Sequence, residues 1–200
     1  MAHIVLLGDS IFDNAPYVPA GMAVADHLRA CLAPHDRVTL LARDGSELDD
    51  VAAQLPGLAA LYEPPTHLVL SCGGNDVLGL LGAMHGPVAS VLEAVELLAA
   101  WQRDFRAAYC RMLDAVLATR LPLTVCTIYD AVPGLSPGLR TALAVFNDVI
   151  IREAASRGLA LLDLRLVCTE PQDYAACSPI EPSAQGGRKI AQALAALTTK

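Results

Sequence analysis

Ser10, in the tripeptide Gly8-Asp9-Ser10, follows directly on the apolar run Ile4-Val5-Leu6-Leu7. That placement sets a hydroxyl where a buried strand ends and the chain turns. In an open parallel sheet, ligands bind at this carboxyl edge. A serine there serves as a nucleophile when a base and an oxyanion hole stand beside it. Taken alone, the tripeptide is an ordinary turn, because Gly, Asp and Ser all favour turns. Three more segments carry suggestive chemistry at the ends of apolar runs: Arg43-Asp44-Gly45-Ser46, Gly73-Gly74-Asn75-Asp76 and Pro179-Ile180-Glu181-Pro182-Ser183-Ala184. Each also has a plain reading: a turn with Ser46 as helix N-cap, a tight turn at positive φ, and a helix start. Jointly they supply a nucleophile, a glycine backbone N–H, an asparagine amide and a carboxylate, which is the inventory for acyl transfer.

Those four segments converge only if the elements between them form a layered sheet. Nearly continuous apolar runs predict strands at His3–Gly8, Arg37–Ala42, His67–Cys72, Leu123–Ile128 and Ala160–Leu164, as for parallel strands buried on both faces. Longer Ala-rich stretches predict helices at Gly21–Leu32, Glu47–Leu55, Val88–Thr119, Gly138–Arg157 and Ser183–Leu197. Strands alternating with helices indicate a doubly wound α/β sandwich, with all of residues 1–200 in one domain. The stretch Val88–Thr119 is long for one globular helix, so a bend or break is expected in it. Trp101, Phe105 and Tyr109 recur every four residues along it and mark a buried stripe. The loops Gly79–Pro87 and Asp130–Gly138 are expected to wall a pocket at the carboxyl edge.

Composition narrows the function. The net charge is −7 with no Lys/Arg cluster, which disfavours nucleic acid. No apolar stretch reaches the ~18 residues of a membrane span. The start of the chain carries no basic, apolar and small-residue leader, so a cytoplasmic location is expected. None of the six cysteines forms a C-x-x-C pair, so neither a metal site nor a dithiol redox site is indicated. Cys72 and Cys126 read as small buried hydrophobes, whereas Cys168 and Cys177 flank a loop and are a candidate pair in an oxidising compartment.

The chain resembles the SGNH hydrolases, also called the GDSL esterase/lipase family. The resemblance rests on Gly8-Asp9-Ser10, then Gly45, then Gly73-Gly74-Asn75-Asp76, in the family's order and between the corresponding elements. It implies a three-layer α/β/α sandwich around a five-stranded parallel sheet, similar to flavodoxin. It also implies Ser10 as nucleophile, with the Gly45 N–H and the Asn75 amide as oxyanion donors. The last family block, Asp-x-x-His, is altered. Anchored on Pro182-Ser183-Ala184, Glu181 stands at the histidine position and Ser178 at the aspartate position. The base is therefore Glu181, another residue such as His85, or absent. Ordinary Glu and His differ by about two pH units, roughly 3 kcal/mol of proton affinity, and burial can close that gap. A protonated imidazole is also cationic and supports an oxyanion, whereas a protonated Glu is neutral. Asp163 and Asp173 are candidate orienters of Glu181 or simple caps, and Asp9 and Asp13 are expected to hold the Ser10 turn, with Asp9 facing away. His3 and His67 begin strands at the opposite edge, and His27 and His35 lie on or after the first helix.

The expected activity is hydrolysis of small or short-acyl carboxylic esters, a small-molecule ester being the partner and no cofactor being required. The alternative is a degenerate member of the same fold that binds an acyl or carbohydrate ligand without turnover. Nucleotide binding fits less well, because the first turn lacks a Gly-rich phosphate loop and carries Asp9 and Asp13. No sequence pattern fixes an oligomeric state.

Overall fold

Five short apolar runs pair as parallel strands in the computed structural model, which describes residues 1–198. They are β1 (His3–Gly8), β2 (Arg37–Leu40), β3 (His67–Ser71), β4 (Leu123–Cys126) and β5 (Ala160–Leu162), in the order β2-β1-β3-β4-β5. The helices are α1 (Val24–Cys31), α2 (Pro56–Ala59), α3 (Gly74–Gly79), α4 (Leu81–Met84), α5 (Val91–Leu117), α6 (Pro137–Ser156) and α7 (Ala184–Thr198). An antiparallel hairpin of β6 (Tyr174–Ala175) and β7 (Ser178–Pro182) stands apart from the main sheet.

Strand side chains alternate between two apolar layers. Val5, Leu7, Leu68, Leu70 and Val125 face one side, where Phe105, Tyr109, Phe146 and Ile150 of α5 and α6 cover them. Ile4, Leu6, Val69 and Cys126 face the other, against Val24, Leu28, Ile190 and Leu194 of α1 and α7. The result is the three-layer α/β/α sandwich. Its strand order reverses direction between β1 and β3, and such a switch point opens a crevice at the carboxyl ends of those strands.

Several expected boundaries shift for local reasons. Strand β2 ends at Leu40 because the N–H groups of Leu41 and Ala42 both turn onto the Leu6 carbonyl, each at 2.9 Å. The expected helix over Glu47–Leu55 is a 3-10 helix, Leu48–Gln54, preceded by Glu47. Ser46 therefore does not cap it, and its hydroxyl instead accepts from Gln54 Nε2 at 3.3 Å. Helix α5 is one continuous element of 27 residues and so is not split. It holds no Gly or Pro, and Ser90 caps its start by accepting the Glu93 N–H at 3.1 Å. The segment Gly79–Pro87 is not a plain loop, since α4 lies within it. Cys168 is buried and Cys177 exposed, and both are free thiols.

Candidate active site

Everything at the site begins with how β1 ends. Gly8 has φ +118°, and a Cβ there would stand 1.8 Å from the Ser71 carbonyl oxygen. Only glycine lets β1 and β3 close up at this point. The Gln54 side-chain amide clasps Gly8 from the other side, accepting its N–H at 2.9 Å and donating to its carbonyl at 2.7 Å. The chain then turns, with the N–H groups of Phe12 and Asp13 both bonded to the Asp9 carbonyl. Ser10 sits on this turn, 7% exposed. Its own N–H has no partner among the described residues and stays free to donate.

Strand β3 ends in a similar way. Gly73, at φ +116°, packs so closely on Phe105 that a Cβ would come within 2.9 Å of its ring. The backbone then enters α3, whose first turn carries Asn75 and Asp76. Asn75 Nδ2 donates to the Ser46 carbonyl at 2.8 Å, which spends one amide proton and fixes the direction of the other. Asp76 accepts the Leu48 N–H at 3.1 Å, and burial raises its pKa to about 6. The Gly45 turn is thus tied to α3, and it is held on its other flank too. Tyr17 donates its hydroxyl to Asp44 at 2.7 Å, and the Asp44 N–H meets Asp13 at 2.9 Å. Gly45 itself has φ +77° and is exposed, standing on the rim outside the cavity lining. Its N–H makes no bond to the described residues.

Glu181 arrives on β7, 4% exposed. That strand is pinned on both sides of the carboxylate. The Tyr129 hydroxyl donates to the Ile180 carbonyl at 2.5 Å, and Asn14 Nδ2 donates to the Pro182 carbonyl at 3.1 Å. Tyr129 is buried edge-on against Tyr174 of β6, ring centroids 5.0 Å apart. So held, Glu181 lines the same cavity as Ser10, whose hydroxyl favours the ionised carboxylate. Its Oε2 is buried and has no partner. Burial pushes the Glu181 pKa up from 4.5 to about 7, with the Ser10 hydroxyl pulling down and the Asp44 charge adding upward pressure.

Ser10, Asn75 and Glu181 share one cavity of about 260 Å³ with Asp9. Most of its remaining wall is apolar, from Leu81 and Met84 on one side to Val132, Leu135 and Leu143 on the other. The Asp130–Gly138 loop therefore walls the pocket as expected, and α4 supplies the opposite wall. His85 is exposed and lines a separate groove with Val88 and Trp101, away from Ser10. Asp163 bonds Thr127 and Arg165, while the fully buried Asp173 bonds Lys189 and Gln185, and neither meets Glu181. Asp9 does hold the turn, by accepting the Ile11 N–H at 3.1 Å, but it does not face away: it lines the cavity beside Ser10. Tyr129, Asn14 and Gln54 are positioning residues that no sequence motif marks. Among the described residues, no cluster of His, Cys, Asp and Glu is arranged to hold a metal ion.

Comparison with known proteins identifies the family and the shared fold. The model of the GDSL-like Lipase/Acylhydrolase family matches residues 6–189. A solved member of the lipolytic protein G-D-S-L family from Veillonella parvula is similar over 100% of both chains, with TM-score 0.75 and 17% identity. The extracellular lipase of Streptomyces rimosus is similar at TM-score 0.67 and 18% identity, over 99% of this chain and 100% of that one. An aryl esterase of M. smegmatis is similar at TM-score 0.71 and 14% identity, over 100% of this chain and 99% of that one. At such identities the structural likeness establishes the shared fold. No curated protein matches the chain. With the family model spanning both the Ser10 and the Glu181 segments, the chain belongs to the GDSL-like lipase/acylhydrolase family and is classed with its carboxylic ester hydrolases.

Proposed function

We propose that this chain hydrolyses small or short-acyl carboxylic esters through Ser10, with Glu181 as general base. The reading rests chiefly on the placement of Ser10 and Glu181, both buried, in the lining of one cavity. A Glu with pKa about 7 matches the operating range of a general base, and an ordinary Glu does not. Glu181 takes the hydroxyl proton as Ser10 Oγ bonds to the ester carbonyl carbon, and the carbonyl π pair becomes the oxyanion. When that intermediate collapses, the carbon–oxygen bond to the leaving alcohol breaks and Glu181 returns the proton to the leaving oxygen. Water then repeats the sequence on the acyl-enzyme.

The oxyanion donors in this scheme are the free Ser10 N–H, the second proton of Asn75 Nδ2, and the Gly45 N–H at the rim. They carry more of the stabilisation than they would beside a cationic imidazole, and each such donor is typically worth ~10²–10³ in rate. The cavity of about 260 Å³ falls below the ~300–1,000 Å³ of pockets for drug-sized ligands, which favours a small acyl group against Leu81, Met84 and Val132.

The test is labelling with a fluorophosphonate probe, wild type beside Ser10→Ala and Glu181→Gln, followed by mass mapping. Labelling at Ser10 that is lost in Ser10→Ala and strongly slowed in Glu181→Gln is the expected result. Absence of labelling in folded protein across neutral pH would replace this reading with a binding protein that does not turn over.

A further inference from the structure

Ser10 has a carboxyl group on either side. Asp9 precedes it in the chain, and Glu181 lines the same cavity from β7. Asp9 is only 3% exposed. Its Oδ1 takes the Ile11 N–H, and the rest of the group borders the cavity, with Oδ2 3.9 Å from where a Gly74 Cβ would stand. The cavity lining contains no Lys, Arg or His. The titratable groups that face Asp9 from the packed elements are Glu181 on β7, Asp76 on α3, Cys72 after β3, Cys126 on β4 and Tyr129 after β4. All of them are acids, so no cation nearby offsets a second negative charge.

That arrangement constrains a carboxylate base in a way it would not constrain an imidazole. An imidazole starts neutral and becomes cationic, so a neighbouring carboxylate helps it. Glu181 starts anionic, and the charge it surrenders reappears on the oxyanion. If Asp9 were also ionised, two negative charges would share one buried, cation-free cavity through every step, and like charges at such sites do not both ionise readily.

We infer that Asp9 stays protonated in the working enzyme, leaving Glu181 as the sole charge beside Ser10, and that ionisation of Asp9 switches the site off. Asp9 is then a positioning residue, acting on the reaction through the charge of Glu181. Burial and the Glu181 and Asp76 charges raise Asp9 to about 7, against the pull of the Ile11 N–H. The two carboxyls accordingly titrate as a pair near neutrality. Activity needs the first proton removed, from Glu181, and the second retained, on Asp9. The inference rests on the esterase reading above.

Two measurements test it. The first is a ¹³C NMR titration of the Asp9 carboxyl in the full chain, wild type beside Glu181→Gln. Asp9 should titrate near neutrality in the wild type and distinctly lower in Glu181→Gln, where the like charge is gone. An Asp9 that titrates in the ordinary range near 4 in the wild type overturns the inference, whatever the turnover shows. The second is the pH profile of kcat/KM on p-nitrophenyl acetate, corrected with Ser10→Ala. The wild type should give a bell that falls about tenfold per pH unit on its alkaline side. Asp9→Asn cannot ionise and still accepts the Ile11 N–H. Whatever its height, its profile should rise to a plateau, flat within about twofold over the range where the wild type falls. An alkaline limb unchanged in Asp9→Asn overturns the inference but leaves Ser10 and Glu181 standing. Turnover equal in Ser10→Ala overturns the esterase reading, and this inference with it.

Discussion

Replacing Glu181 by Gln should make the protein more stable and less active at the same time. The carboxyl is buried on β7 with Oε2 unpartnered, and its pKa moves from 4.5 to about 7. Each pH unit of such movement corresponds to ~1.4 kcal/mol. The unfolded chain releases this proton above about pH 4.5, and the folded chain keeps it until about pH 7. Between those values the folded state binds more protons, so stability from this group falls as pH rises and the penalty is complete above neutrality. Allowing for the solvent that reaches the cavity mouth, the penalty is about 2–3 kcal/mol. Glu181→Gln keeps the shape and removes the charge. It should gain about 2–3 kcal/mol near pH 8 and almost nothing near pH 4, while its turnover drops ~10²–10⁴-fold. Urea unfolding at both pH values, beside ester turnover, measures both effects. Equal stability near pH 8 would mean that Glu181 titrates as an ordinary Glu. Turnover within about threefold of wild type would remove it as the base even if the stability gain appeared.

Gly8→Ala forces a Cβ to 1.8 Å from the Ser71 oxygen at φ +118°, so about 3 kcal/mol or more should be lost in chemical denaturation, with turnover falling as the Ser10 turn moves. Asn75→Ala removes a proposed oxyanion donor and the 2.8 Å bond to Ser46, and kcat should drop ~10²–10³-fold with KM for a small ester little changed. Lys189→Met leaves the fully buried Asp173 without its cation, which should cost about 2 kcal/mol in urea unfolding at neutral pH and much less in acid, where Asp173 protonates.

The fold is legible because a parallel sheet buried on both sides needs near-continuous apolar runs, and Ile4–Leu7 and Leu68–Leu70 are such runs. Strand ends are less legible, since Leu41 and Ala42 are as apolar as β2 itself and leave it only through their shared bond to Leu6. Helix α3 hides because its opening glycines read as a turn, and only the φ of Gly73 and its packing on Phe105 reveal where the helix begins. The β6–β7 hairpin is too short and too irregular to show a period-2 pattern. At the site, Ser10, Gly45, Asn75 and Glu181 stand in motifs with a fixed order and so can be named from the chain alone. Tyr129, Asn14 and Gln54 act through contacts across 51, 168 and 46 residues of sequence, a separation that no local pattern encodes. Asp9 was hidden differently: its turn-holding bond to Ile11 is the expected one, and its second role depends on an anion arriving from β7.

The hairpin that carries Glu181 has one further consequence. Ser10 and Asn75 hang from central strands of the main sheet, whereas β7 pairs only with the two-residue β6. An isolated two-stranded hairpin is marginal in water, so this one borrows its order from Tyr129, Asn14 and the backbone bond from the Ser183 N–H to the Asp173 carbonyl. Segments of this kind open as local units well below the global transition. The amides of β7 should therefore exchange hydrogen faster than those of β1 and β3, and ester turnover should vanish at denaturant concentrations where the sheet is still intact. The proposed base sits on this short hairpin, so loss of activity should report a detaching hairpin before it reports an unfolding protein.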